Sequence, residues 1–178
     1  MRDAASARLL VLDTSTETLH LGLADGPRRL ERALPGGAQA SAALLPALFA
    51  LLDEAGLALR ELDAIGFGRG PGAFTGVRAA CAVTQGLAFG AGLPVLALDT
   101  LTAVAEDARC QGAGAEVWAA ADARMGEAYA ARLRHDGAAW QVLEPPALHD
   151  PVALAERAAA DPARPQPAGS SLAAHAAA

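Results

Sequence analysis

The stretch best able to do chemistry is Gly68-Arg69-Gly70-Pro71-Gly72-Ala73-Phe74-Thr75-Gly76-Val77-Arg78. It falls between an apolar strand-like run and a helical pattern. Backbone N–H groups in such a turn, with the N-terminus of the following helix, favour an anion. Arg69 and Arg78 can add positive charge. The string is neither a Walker sequence nor the dinucleotide fingerprint in register. Two uses stay open for Gly68, Arg69, Gly70, Pro71, Gly72, Phe74, Thr75 and Gly76. One is a phosphate or another anion. The other, which is favoured, is a rigid turn or an interface whose glycines permit close packing.

Three carboxylates stand at strand ends: Asp13, Asp99 and Asp122. An acid on a first strand, with others nearby, can hold Mg²⁺ for phosphodiester cleavage. Asp13 and Asp99 are equally good turn and N-cap residues. The next strand has Asp63 only at its start and ends in Gly68-Arg69 with no acid. No two of His20, His135, His149 and His175 have metal-ligand spacing. Cys81 and Cys110 form no C-x-x-C pair, and no G-x-S-x-G occurs. All 14 basic residues are Arg, so this chain supplies no Walker, Schiff-base or catalytic lysine. The expectation is therefore no catalytic residue, no metal and no cofactor.

The chain has 178 residues, 53% hydrophobic and 19% charged, so it can bury a core. Its formal charge of −6 argues against a nucleic-acid binder acting alone and leaves room for a basic partner. Alanine accounts for 48 residues, a bias that warns against reading every Ala as chosen. Two thiols, no signal-like leader and no long apolar span lead to an expected cytoplasmic location.

The elements that must position these residues follow from hydrophobic periodicity. Leu9–Leu12 reads as a buried strand, Leu19–Ala24 as its antiparallel neighbour across a turn, and Arg28–Ala33 as a third strand after the Asp25-Gly26 hairpin signal. A helix is predicted over about 41–55, starting near Gln39 or Ser41 and stopping at Gly56. Leu62–Phe67 follows as a strand parallel to the first. Then come a helix over about 75–89, a strand over 94–98, and a helix capped by Asp99-Thr100 that runs through Asp107. Residues 9–109 thus read βββαβαβα, the order of a ribonuclease-H-like lobe, which in duplicate builds actin-like ATPases. A second, shortened lobe is expected over 115–160, with strands over 117–121 and 127–133, a third over 140–143, and a helix over 151–160. Residues 1–8 read as an N-terminal extension. Residues 161–178 read as a poorly ordered Pro/Ala-rich tail.

The first helix carries no polar side chain from Ala42 to Leu52. In the second, only Arg78, Thr84 and Gln85 are polar between Val77 and Phe89. A helix resting on one sheet needs a polar outer stripe. Two neighbours that lack one expose a patch that calls for a partner chain. The alternative is an outer face made mostly of Ala, which costs little to expose.

Leu10-Val11-Leu12-Asp13-Thr14-Ser15-Thr16 followed by Gly66-Phe67-Gly68-Arg69-Gly70-Pro71-Gly72-Ala73-Phe74-Thr75-Gly76-Val77-Arg78 closely resembles the TsaB (YeaZ) family. Gln85-Gly86-Leu87-Ala88 and Ala121-Asp122-Ala123-Arg124-Met125-Gly126-Glu127-Ala128-Tyr129 extend the likeness over roughly residues 9–160. The resemblance implies the actin-like (ASKHA) fold and a part in bacterial synthesis of N6-threonylcarbamoyladenosine at tRNA position 37. It implies that the transfer chemistry belongs to a metal-binding subunit, TsaD, that an ATPase, TsaE, joins the pair, and that tRNA is met only within the complex. It implies a non-catalytic scaffold, sometimes labelled a peptidase, that forms homodimers when alone and pairs competitively with TsaD through its first two helices. On that basis the contact falls on Leu44, Leu45, Leu48, Leu52, Val77, Arg78 and Cys81. The alternative is a stand-alone Mg²⁺ nuclease or phosphotransferase on the same fold. Three departures from the family pattern stand out: Ala40 where a His is common, Ala73 where a Ser is frequent, and a chain that stops soon after Gly169-Ser170-Ser171.

Overall fold

A computed structural model describes residues 3, 5–37 and 40–169. Gln39, Ser170, Ser171 and His175, which enter the sequence reading above, lie outside them, as do the side chains of Ala40 and Ser41. Two compact units divide at Leu98/Asp99.

In the first unit, β1 (Arg8–Asp13), β2 (Thr18–Asp25) and β3 (Arg28–Pro35) form an antiparallel meander. Asp25-Gly26 makes the turn, with Gly26 at φ +58°. Then follow α1 (Ala40–Ala55), β4 (Ala64–Gly68), α2 (Phe74–Ala91) and β5 (Val95–Leu98). β4 pairs parallel with β1, and β5 parallel with β4, giving the order β3-β2-β1-β4-β5. This is the ribonuclease-H-like lobe expected from the sequence.

Strand alternation puts one leucine-rich face together. Leu10 and Leu12 lie opposite Leu23 and Leu21 on β2, and opposite Ile65 and Phe67 on β4. All six are buried. The crossovers β3-α1-β4 and β4-α2-β5 step the same way along the sheet. Right-handed connections therefore lay both helices on that same face. α1 covers β2 and β3 with Leu44, Leu48, Leu51 and Leu52, while α2 covers β4 and β1 with Ala80, Thr84 and Ala88. The small residues let α2 lie close to the sheet. Arg28 ties β3 to the end of α1, donating to the carbonyls of Glu54 at 3.0 Å and Ala55 at 3.3 Å. Such a cation satisfies orphan carbonyls and opposes the negative end of the helix dipole.

The second unit holds α3 (Thr100–Cys110), β6 (Glu116–Arg124), β7 (Glu127–His135), β8 (Trp140–His149), α4 (Pro151–Ala160) and β9 (Gln166–Ala168). The sheet order is β8-β7-β6-β9, with β9 parallel to β6. Leu101 and Ala105 of α3 pack on one face with Val117, Ala119, Ala131 and Leu133. Leu154 and Ala158 of α4 pack on the other with Trp118, Ala120 and Ala130. Glu106 accepts hydrogen bonds from Arg109 and from Trp140 Nε1, which, Arg109 first, hold its carboxyl at about 2.

The boundaries differ from the sequence reading in three places. The lobe expected over 9–109 ends at Leu98, because α3 packs on β6 and β7. Periodicity shows that a helix is amphipathic, not which sheet its apolar side meets. β8 runs on past Leu143 through Pro145-Pro146 to His149. An edge strand pairs on one side only, and the ladder shifts register near Arg132 to pass the missing donors. The tail expected from Asp161 contains β9, three residues too short to leave a periodic signal.

Thr84 has a buried hydroxyl with no hydrogen-bond partner among the described residues. Thr84→Val keeps the shape and removes that desolvated group. It should raise stability by about 1 kcal/mol and the melting temperature by about 3 °C, read by thermal and urea unfolding.

Candidate functional site

The glycine-rich loop lies flush on the turn that follows β1. A Cβ at Gly68 would overlap Asp13 Oδ2, and one at Gly76 would overlap the Thr14 carbonyl oxygen. One at Gly72 would lie 2.6 Å from the Ser15 carbonyl oxygen. Hydrogen bonds close the contact. Ala73 N donates to Ser15 O at 2.7 Å, and Thr14 Oγ1 donates to Gly76 O at 2.6 Å. Only Gly70, at φ +90°, is needed for its dihedral angle. The spacing 68, 72, 76 is thus a steric requirement that holds the first turn of α2 against the end of β1.

This packing bears on the two uses left open for the loop. Arg78, in the second turn of α2, lies over the Phe74 ring at 3.7 Å from its centroid. Asp13 Oδ1 accepts from Ser15 N at 2.6 Å, and its other oxygen abuts Gly68. A carboxylate placed there repels an anion. The geometry favours a rigid turn over a phosphate cradle.

The other acids serve the backbone. Asp99 accepts from Thr102 N at 3.0 Å and caps α3. Asp122 accepts from Arg124 N at 2.9 Å in the β6–β7 turn. Asp63 accepts from Arg8 N at 2.8 Å. Among the described residues no group of three His, Cys, Asp or Glu side chains could hold a metal ion. His135 and His149 lie edge-on to Trp140 and Trp118, and His20 is exposed on β2. Cys81 is half-buried beside the core, and Cys110 is exposed.

The helix pair corrects the residue choice made from sequence. Leu44, Leu48 and Leu52 are at most 2% exposed and sealed under the chain's own sheet, so they cannot meet a partner. Helical phase explains it: positions 44, 48, 51, 52 and 55 share one side, and 42, 45, 46, 49 and 53 share the other. The sheet takes the side richer in leucine. Leu45 remains 40% exposed, and Phe49, which was not among the residues chosen, is 45% exposed. On α2, Val77 and Cys81 are half-buried and Arg78 is exposed. Phe74 and Phe89, at 69% and 93%, are the large apolar groups that face outward. With Ala82 and Gln85 they form a stripe at positions 74, 78, 82, 85 and 89. That three-and-four spacing was visible in the sequence once the sheet-facing side was known.

Comparison with known proteins places this geometry among relatives. A family model described as "TsaD: tRNA N6-adenosine threonylcarbamoyltransferase" matches residues 36–176. The chain is 43% identical to "tRNA threonylcarbamoyladenosine biosynthesis protein TsaB" of Haemophilus influenzae, across 68% of this chain and 51% of that protein. It is 37% identical to the Escherichia coli protein of the same name, across 84% of this chain and 65% of that one. The chain therefore spans between about half and two thirds of these curated relatives' length. The solved structure of YeaZ from Pseudomonas aeruginosa is similar with a TM-score of 0.76 and 45% identity, covering 82% of this chain and 68% of that one.

Two glycine substitutions separate packing from helix propensity. Gly76→Ala drives a methyl into the Thr14 carbonyl and should cost at least about 2 kcal/mol. Gly86→Ala, with nothing within 4 Å, should be neutral or stabilise α2 by up to about 1 kcal/mol. Urea unfolding measures both.

Proposed function

The chain belongs to the TsaB/YeaZ family, and on that premise we propose that it is a non-catalytic scaffold subunit in the synthesis of N6-threonylcarbamoyladenosine at tRNA position 37. It docks through the outer face of α1 and α2 on a TsaD-type metal-binding subunit, which performs the transfer. A TsaE-type ATPase joins that pair, and the chain forms homodimers when alone. The work is cytoplasmic.

The observation that carries this reading is that Leu45 and Phe49 on α1, and Phe74 and Phe89 on α2, stay exposed although both helices pack on the sheet. Large apolar groups left exposed on helices favour a covering chain. The acids at strand ends also support a scaffold, since Asp13, Asp99 and Asp122 are engaged with backbone N–H groups. Charge supports delegation of tRNA to partners: residues 99–178 carry six Arg against eleven Asp and Glu.

Leu45→Asp with Phe49→Asp should weaken binding to the TsaD-type subunit by at least about thirtyfold in a calorimetric titration, with the circular dichroism spectrum unchanged. Unaltered affinity rejects the interface. Asp13→Asn should leave threonylcarbamoylation by the reconstituted complex within about threefold. A loss of several orders of magnitude with binding intact would instead favour an enzyme using Asp13.

A further inference from the structure

β3 ends its sheet and pairs with β2 alone among the described strands. Asp25 and Arg28 close a two-residue turn between β2 and β3. Arg28, Leu30, Arg32 and Leu34 therefore bond back to β2, and the backbone groups of Arg29, Glu31 and Ala33 point away from it. The other sheet ends offer less to an added strand. β5 has four residues, β8 contains Pro145-Pro146 and β9 contains Pro167. Alternation also divides the side chains of β3. Arg28 and Arg32 turn onto α1, the first to the carbonyls of Glu54 and Ala55, the second to the Glu54 carboxylate. Arg29 and Glu31 project from the opposite face, both exposed, across from Ala24 and Gly22. Arg29 donates to the carbonyls of Gly26 and Arg28, and neither Arg29 nor Glu31 forms an ion pair with another described residue.

We propose that a second copy of this chain adds its β3 to this edge, antiparallel about Leu30, with Arg29 of each copy opposite Glu31 of the other. Charges on an edge deter strands of unrelated sequence. A cation and an anion two positions apart are instead complementary to the same strand run backwards, and one two-fold axis makes both pairs at once. Charge and donors together select the register. Centring on Glu31 sets the two carboxylates face to face. Centring on Arg32 sets Arg32 against Arg32 and gives Arg29 a partner in Pro35, which has no N–H. Centring on Leu30 puts Arg28 opposite Arg32 on the α1 face, where both are already held by α1. The axis stands normal to the sheet and keeps α1 of both copies on one face. Helical phase puts Ala43, Ala47 and Ala50 on the Glu54 side of α1, so no bulky side chain of α1 overhangs the edge. Leu45 and Phe49 lie on the opposite side of α1. The β3 edge is therefore separate from the docking face on α1 and α2, and pairing through it leaves that face free.

Sedimentation equilibrium of the full chain at low salt tests this pairing, with Phe49→Asp present throughout to remove association through the helices. A dimer should persist in that background. Arg29→Glu and Glu31→Arg should each weaken it by about tenfold, because each turns two attractions into two repulsions. Arg29→Glu combined with Glu31→Arg should return to within about threefold of the background chain. Glu31→Pro removes an N–H that points away from β2, and should abolish the dimer with the circular dichroism spectrum unchanged. A background chain that is monomeric at all accessible concentrations overturns the proposal. So do unaltered dimers in the single charge variants, single losses without rescue, or a dimer that survives Glu31→Pro. Binding of the TsaD-type subunit to the Leu45→Asp, Phe49→Asp chain reports on the helices alone, so the two readings fail separately.

Discussion

One apolar face of one sheet governs the first unit. Leu10, Leu12, Leu19, Leu21, Leu23 and Ile65 project to the same side and must be kept from water. Burying side chains of this size stabilises by about 2 kcal/mol each, more than any polar contact in the unit supplies. Two right-handed crossovers bring α1 and α2 to that face, and the leucines of α1 are used there. What remains outside follows as a remainder. The helix is leucine-rich through most of its circumference, so covering the sheet still leaves Leu45 and Phe49 outside.

The glycine-rich loop serves the same arrangement. With no side chain at 68, 72 and 76, the backbone settles on Asp13, Thr14 and Ser15 and anchors α2 at its first turn. Phe74 projects from that anchored turn and Arg78 from the one after it. The glycines that make the string suggestive of ligand binding are the ones its packing on residues 13–15 requires. Asp13 accepts from Ser15 N in the same turn, and its other oxygen abuts Gly68.

The second unit is built differently. Its core is largely alanine, at positions 119, 120, 121, 128, 130 and 131, which gives little transfer energy per residue. Ion pairs bind its elements together: Arg132 meets Glu116, Glu144 and Asp161, and Arg157 meets Glu144 while lying over Trp118. Burial raises the Glu116 carboxyl, but hydrogen bonds from Arg134 and Arg132 outweigh it and hold it below the usual range. The network links β6, β7, β8 and the segment after α4, so charge takes over part of what side-chain volume does in the first unit.

Local rules were enough to place the meander, the helices, the Asp25-Gly26 turn and the cap at Asp99, because each depends on neighbours a few residues away. The motif strings alone pointed to the TsaB/YeaZ family. Partners far along the chain were not legible. α3 went to the second sheet, β9 found β6 across some fifty residues, and Pro145-Pro146 was admitted because β8 is an edge. The docking residues show the division most clearly. Composition established that α1 has too much leucine for one side. Only the sheet's position decided that Leu44, Leu48 and Leu52 face inward and Leu45 and Phe49 outward, since a helix has no inside until something packs against it.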